Sequence, residues 1–139
     1  MQATVIGAGN MGRGTGHRLV AGGHDVTVVD RDPEEAGRLA EELAAALPAN
    51  ARVVKAFNTT FSGTLVEGQV AGQPLDVFLA GDDEGAKETV AQLVRDGGLR
   101  AIDVGPLERA RELEGLGLLG ITLQQPLGLN FQSAWKLIS

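Results

Sequence analysis

A glycine-rich turn near the start of the chain constrains its fold more than any other feature. The apolar run 3–6 (Ala-Thr-Val-Ile) leads into the hexapeptide 7–12 (Gly-Ala-Gly-Asn-Met-Gly), and a helical pattern continues from residue 10 to about residue 21. A short apolar run without alternation is typical of a strand that is buried on both faces. The order of strand, glycine turn and helix therefore predicts the first half of a β-α-β unit.

The spacing of the glycines predicts what this turn binds. Gly7 permits the tight turn out of the strand, Gly9 lets a ligand approach the backbone, and Gly12 lets the helix pack closely on the sheet. The free N–H groups of Asn10, Met11 and Gly12 at the helix start favour an anion. We therefore predict a dinucleotide that is held by its pyrophosphate, although strand–helix turns rich in glycine also occur without one.

Two charged residues after the second predicted strand bear on the kind of dinucleotide. Asp30 lies 18 residues after Gly12, where a carboxylate can accept hydrogen bonds from the ribose hydroxyls of NAD. The neighbouring Arg31 could instead pair with the 2′-phosphate of NADP or stack on adenine. The residues alone favour NAD slightly and leave NADP open.

Strands and helices alternate along the rest of the chain. We expect strands over 3–6, 25–30, 52–57, 76–80 and 100–104 and a closing strand within 128–139, with helices over 10–21, from 32 to about 47, over 84–96 and from 105 to about 123. Such alternation predicts an α/β fold: a Rossmann-like, doubly wound, mostly parallel sheet of five or six strands. The length of 139 residues fits a single dinucleotide-binding domain, 1–139.

Composition excludes several other classes of protein. The chain has no Cys and no Tyr, and its net charge of −6 argues against a nucleic-acid partner. His17 and His24 are typical of surface and turn positions, and the acidic residues 82–84 are typical of a helix start, so no metal site is predicted. The sequence shows no membrane span and no signal peptide, and we expect a cytoplasmic protein.

Five segments together resemble one family. They are 6–12 (Ile-Gly-Ala-Gly-Asn-Met-Gly), 31–33 (Arg-Asp-Pro), 54–60 (Val-Lys-Ala-Phe-Asn-Thr-Thr), 80–83 (Ala-Gly-Asp-Asp) and 105–114 (Gly-Pro-Leu-Glu-Arg-Ala-Arg-Glu-Leu-Glu). In type and order they resemble the deazaflavin-dependent NADP reductases. The resemblance implies hydride transfer between NADP and a reduced 5-deazaflavin, coenzyme F-420. It implies no catalytic side chain, because positioning and exclusion of water suffice for this step.

The resemblance also implies a role for the segment after the third strand. Phe57, Asn58 and Thr59 would flank the nicotinamide, and Asn58 could hydrogen-bond its carboxamide. The alternative is that Asn58 and Thr59 only cap a turn, as these residue types often do.

Part of the family pattern is missing from this chain. A block of at least two strands, with their helices, is absent between the second strand and the segment 54–60. Loss of whole strand–helix units preserves right-handed crossovers, so we expect the strand order 2-1-3-4-5. There are two alternatives. The third strand could pair with the second, in the order 3-2-1, or it could pair with the other chain of a swapped dimer.

The missing block leaves three functions open. The first is hydride transfer between NADP(H) and a deazaflavin or flavin-type acceptor. The second is a dinucleotide-binding module without catalysis, acting as a sensor or a remnant. The third is a homodimer that rebuilds a composite site from two chains, and the apolar, glycine-rich segment 115–121 is a candidate for either a packing or a dimer surface.

The role of Asp30 can be tested by substitution. Asp30→Ala should weaken binding of NADH about tenfold or more and that of NADPH less, because the carboxylate accepts from the ribose hydroxyls but repels a 2′-phosphate. Calorimetric titration of both nucleotides measures the two losses. A larger loss for NADPH contradicts the assignment of Asp30 to the ribose.

Overall fold

A computed structural model describes residues 2–6, 10–23, 25–29, 52 and 54–139. The strands are β1 (Gln2–Ile6), β2 (Asp25–Val29), β3 (Val54–Lys55), β4 (Gln69–Val70), β5 (Gln73–Pro74), β6 (Asp76–Gly81) and β7 (Arg100–Asp103). The helices are α1 (Asn10–Ala21), α2 (Ser62–Glu67), α3 (Glu84–Asp96) and α4 (Ala110–Thr122), with a short 3-10 helix at Leu107–Arg109 before α4.

The first strand, helix and second strand form the predicted β-α-β unit. β1 and β2 pair in parallel, with Gln2 opposite Asp25 and Ile6 opposite Val29. Helix α1 has the predicted bounds and ends where Gly23 takes a left-handed conformation with φ of 77°. The N–H of Gly22 donates to Arg18 O over 2.9 Å and thereby continues the last turn. The glycine pair thus ends the helix as its sequence predicts.

A second ladder has β6 at its centre, in the order β3-β6-β7. β6 and β7 are parallel, and this order agrees with the last three strands of the predicted sheet. The fold is Rossmann-like α/β with a small, shortened and mostly parallel sheet. Within the described residues no ladder joins β1 and β2 to these three strands.

The predicted third strand, 52–57, is wrong in length and direction. Among the described residues of this segment, 52 and 54–57, only Val54–Lys55 is a strand, and it runs antiparallel to β6, with Val54 opposite Gly81. Phe57 has a φ of 66°, a left-handed conformation that an extended strand cannot contain. The chain therefore leaves the sheet two residues after Lys55.

A hairpin follows the short helix α2. β4 and β5 pair antiparallel across Ala71 and Gly72, which have φ of 50° and 74°. Two consecutive left-handed residues are typical of the tightest hairpin turn. Ala is not a residue type typical of the first position of such a turn, so the sequence does not predict this hairpin.

The buried core lies between β6 and the helices that flank it. Its largest fully buried apolar side chains are Leu65, Leu75, Val77, Leu79 and Val94. They come from α2, from β6 with its preceding residue and from α3, so one cluster joins these three elements. Helix α3 has the predicted bounds, and Asp83 caps it by accepting from Ala86 N at 2.7 Å.

The predicted closing strand within 128–139 is wrong. Asn130 and Phe131 have left-handed φ values of 50° and 57°, and no strand follows them. Trp135 Nε1 instead donates to Leu116 O on α4 over 3.2 Å. The tail (129–139) thus contacts α4 through Trp135 and adds no strand to a sheet.

Asp76 at the start of β6 anchors the tail. Its buried carboxylate accepts from Arg100 Nε at 2.9 Å, from Lys136 Nζ at 2.7 Å and from Leu137 N at 2.8 Å. Burial by itself would raise the pKa of Asp76, but the hydrogen bonds from Arg100, Lys136 and Leu137 outweigh it and lower that pKa. One carboxylate therefore holds β7 and the tail to the central strand.

Removal of this charge should destabilise the protein. Asp76→Asn is expected to cost about 2 kcal/mol, because Arg100 and Lys136 lose their common anion. Since the folded pKa of Asp76 is lowered, its contribution is complete above its unfolded pKa of about 3.9 and is lost as pH falls through the folded value. Urea unfolding at pH 7 and at about pH 3 measures the difference.

Glu67, an exposed carboxylate at the end of α2, provides the matched control. Glu67→Gln should change the free energy of unfolding by less than about 0.5 kcal/mol at either pH. Equal effects of the two substitutions at pH 7 would contradict the role of Asp76.

Candidate functional site

The N-terminus of α1 presents the described part of the predicted phosphate site. Asn10 and Met11 are exposed and Gly12 is half-buried. As the first residues of the helix, they have N–H groups without an intrahelical acceptor. Of the residues predicted to bind the pyrophosphate, the ribose or a 2′-phosphate, four lie outside the described residues: Gly7, Gly9, Asp30 and Arg31.

Helix α2 lies alongside α1 and runs in the same direction. A Cβ on Gly14 would lie 3.2 Å from the Leu65 side chain and 3.3 Å from Ser62 O, so the helices are in close contact there. One turn further along α1, Arg18 Nη2 donates to Val66 O over 2.6 Å. The first residues of both helices therefore lie at the same end of the pair.

The turn 57–60 precedes α2 and so lies at this end. Thr60 donates to Phe57 O through both its N–H, at 3.2 Å, and its Oγ1, at 2.8 Å. Thr59 and Thr60 are buried, and Phe57 packs against the core cluster. Thr60, which was not among the predicted site residues, makes the turn contacts that the sequence suggested for Asn58 and Thr59.

Asn58 faces α4 and keeps one hydrogen-bonding atom unused. Its Nδ2 donates to Leu113 O over 2.8 Å, while its buried Oδ1 has no partner in the part of the chain that the structure describes. An unsatisfied buried acceptor costs about 1–3 kcal/mol. A ligand with an N–H donor would remove this cost.

Helix α4 is held against the same segment by two further contacts. Lys55 on β3 forms an ion pair with Glu114. A Cβ on Gly117 would lie 2.8 Å from Asn58 O, so only glycine allows this approach. The turn thus lies between the α1–α2 pair and α4, with Asn58 in contact with α4.

The charged residues near the carboxyl ends of β6 and β7 are engaged with one another. Lys87 is buried and pairs with Glu84 and Asp103, each at 2.9 Å, and hydrogen bonds to these carboxylates raise its pKa. Burial would raise the pKa of Asp103, but bonds from Lys87 and Gly105 N lower it. Asp82 accepts from Leu107 N at 2.9 Å. Among the described residues no acidic or histidine cluster could hold a metal.

Comparison with known sequences finds a family that this chain resembles. A sequence model of the family described as "NADP oxidoreductase coenzyme F420-dependent" matches residues 2–67. This match covers the glycine turn, α1 and the segment 54–60. The chain thus resembles the coenzyme F420-dependent NADP oxidoreductases, as its motifs predict.

A curated relative supports an oxidoreductase relationship. The metalloreductase STEAP3 of Rattus norvegicus is 40% identical over 79 residues, which are 57% of this chain. The chain spans only 16% of the length of that protein. None of the helices in the described ranges is long and apolar enough to cross a membrane.

Two crystal structures share the fold. One, of a "putative f420 dependent nadp-reductase" from Arthrobacter sp. FB24, is 22% identical with a TM-score of 0.78, and the match covers 98% of each chain. The other, of a hypothetical protein SMa0349 from Sinorhizobium meliloti, is 20% identical with a TM-score of 0.59 over 78% of this chain and 87% of that one. The shortened fold therefore occurs in another chain of nearly the same length.

The contact between Asn58 and α4 can be tested at Gly117. Gly117→Ala should destabilise the protein by about 1–3 kcal/mol, because the added methyl group overlaps the backbone of Asn58. Gly115→Ala is the matched control, since a Cβ there meets nothing within 4 Å. It should stabilise the helix by about 0.5–1 kcal/mol. Urea unfolding compares the two, and a stabilising Gly117→Ala would contradict the close approach.

Proposed function

We propose that residues 1–139 act as a single dinucleotide-binding domain that transfers hydride between NADP(H) and a deazaflavin or flavin-type acceptor. One observation carries the proposal: the N-terminus of α1 and the turn with Asn58 lie at the same end of two parallel helices. The proposed phosphate site and the proposed amide-recognition group would thereby lie close together. The family resemblance supports NADP over NAD, which the residues alone slightly favour.

The phosphate half of the site would be formed by the glycine turn. Gly7 and Gly9 would leave room for the pyrophosphate, and the N–H groups of Asn10, Met11 and Gly12 would donate to it. Asp30 would bind the ribose hydroxyls of NAD, or Arg31 the 2′-phosphate of NADP.

The nicotinamide half of the site would be formed by the turn 57–60. The unpaired Oδ1 of Asn58 suits the amide N–H of the carboxamide, because that bond would satisfy the acceptor. Phe57 and Thr59 would shape the turn that carries Asn58. When bound, the nicotinamide supplies or accepts the hydride. The chain's own task is to orient the ring and to exclude water.

A non-catalytic module is the second candidate. It is supported by the shortened chain, which lacks a block that could supply part of the wall around a second substrate. A homodimer with a composite site is consistent with the exposed Leu118, Leu119 and Ile121 on α4. A sedimentation measurement that finds only monomer at micromolar concentration would contradict the dimer. The cytoplasmic location and the absence of a nucleic-acid partner stay predictions.

The proposal is tested by titrating NADPH and NADH into the protein by calorimetry, followed by assays with deazaflavin and flavin acceptors. We expect micromolar binding, and Gly9→Ala should weaken it at least tenfold because a methyl group would stand where the pyrophosphate approaches. Gly16→Ala is the matched control on α1, since a Cβ there meets nothing within 4 Å. It should change affinity less than twofold.

The possible outcomes separate the two candidates. Binding together with turnover supports the oxidoreductase, whereas binding without turnover with any acceptor supports the module. No binding at millimolar nucleotide contradicts both.

A further inference from the structure

A cavity of about 140 Å³ lies between α4 and the tail. Phe61, Gly120, Leu123 and Trp135 form most of its apolar wall, and Gln124 and Ser133 complete it. The aromatic wall is fixed, because Phe61 makes an edge-to-face contact with Phe131 at 5.2 Å between ring centroids. A cavity of this size and lining accommodates a single aromatic ring.

The polar groups around the cavity already have partners. Gln124 Nε2 donates to Gly120 O at 2.7 Å and to Ser133 Oγ at 3.0 Å, and Gln124 Oε1 accepts from Phe131 N at 2.8 Å. The indole Nε1 of Trp135 donates to Leu116 O. Water gains little in such a space, and the lining favours an apolar occupant.

The cavity lies close to the candidate nicotinamide site. Gly117 contacts Asn58, and Gly120, three residues further along α4, faces the cavity. Three residues of helix correspond to about 4.5 Å along its axis. Phe61 joins the two regions as well, because it follows the turn 57–60 directly and precedes α2.

From this arrangement we infer that the cavity receives an aromatic ring of the hydride acceptor. The inference rests on the proposed function and narrows its second substrate to planar compounds that place one apolar ring between Phe61 and Trp135. Recognition is by ring stacking and shape, since the polar side-chain atoms of Gln124 and Trp135 are already hydrogen-bonded. The remainder of a larger acceptor projects through the open side.

The tail acts as the outer wall of this site. At one end of the tail, Gln124 accepts a hydrogen bond from Phe131 N. At the other end, Asp76 accepts hydrogen bonds from Lys136 and Leu137. Trp135 lies between these fastenings. Its ring is therefore held in place by residues that do not line the nucleotide site.

The sequence contains one tryptophan, so the fluorescence of Trp135 reports occupancy of the cavity. The probe is menadione, a planar two-ring quinone. Titration should quench Trp135 in a saturable manner with a dissociation constant below 1 mM. Gly120→Ala should raise that constant at least tenfold, because the new Cβ would lie 3.1 Å from Trp135 Nε1 and 3.6 Å from Phe61 Cζ.

Two further variants distinguish a specific loss of menadione binding from a general loss of folding. Gly115→Ala adds the same methyl group to α4 in open space and should leave menadione binding unchanged within twofold. Phe61→Leu retains apolar volume but removes a stacking face, and it should weaken binding several-fold. Circular dichroism checks that each variant is folded, and calorimetry checks that each binds NADPH as the unchanged protein does.

Reduction of menadione by NADPH consumes one hydride and one solvent proton and yields NADP⁺ and the hydroquinone. The rate of this reduction should fall in the same variants in which menadione binding, measured by quenching, is weakened. Non-saturable quenching, or equal affinity in Gly120→Ala and Gly115→Ala, overturns the inference even if NADPH binds. Saturable quenching without reduction overturns the assignment of the occupant as acceptor. Failure of NADPH to bind contradicts the proposed function separately.

Discussion

The side chain of Arg18 joins the two helices that form the candidate site, and the rest of the arrangement depends on this contact. Its guanidinium donates to Val66 O, near the C-terminus of α2, where a cation is favourable. A Cβ on Gly68 would lie 2.6 Å from Arg18 Nη1, so the residue that ends α2 leaves the space that Arg18 fills. Because Arg18 is near the end of α1 and Val66 is near the end of α2, this contact joins the corresponding ends of two helices that run in the same direction.

The remaining elements surround the pair of helices α1 and α2. Helix α4 approaches Asn58 through Gly117 and closes one side, and the tail covers α4 through Trp135. Asp76 fastens the tail from the far end of β6. The proposed site would thus combine segments that are distant in sequence. Its nucleotide half would depend on α1 and the turn 57–60, and its cavity would depend on α4 and the tail.

Capping residues and glycine pairs in the sequence predict the bounds of two helices well, but they predict the pairing of distant strands less well. Helices α1 and α3 have their predicted bounds because glycine pairs end them and Asp83 caps one of them. Phe57, within the predicted third strand, and Phe131, within the predicted closing strand, are left-handed, and an aromatic residue type does not predict this conformation. The sequence motif identifies Asn58 as a candidate site residue. Its unpaired Oδ1 results from the packing of α4 against it, and the spacing of residues in the sequence does not predict that packing.

The central claim is that the start of α1 and the turn 57–60 form one nucleotide site. Hydrogen–deuterium exchange with and without saturating NADPH tests it directly, because both segments are read in one experiment. The account predicts that NADPH slows exchange of the amides at 10–12 and at 57–61 together, with little change in β4 and β5. Slowed exchange at only one of the two segments, or at neither, would contradict it.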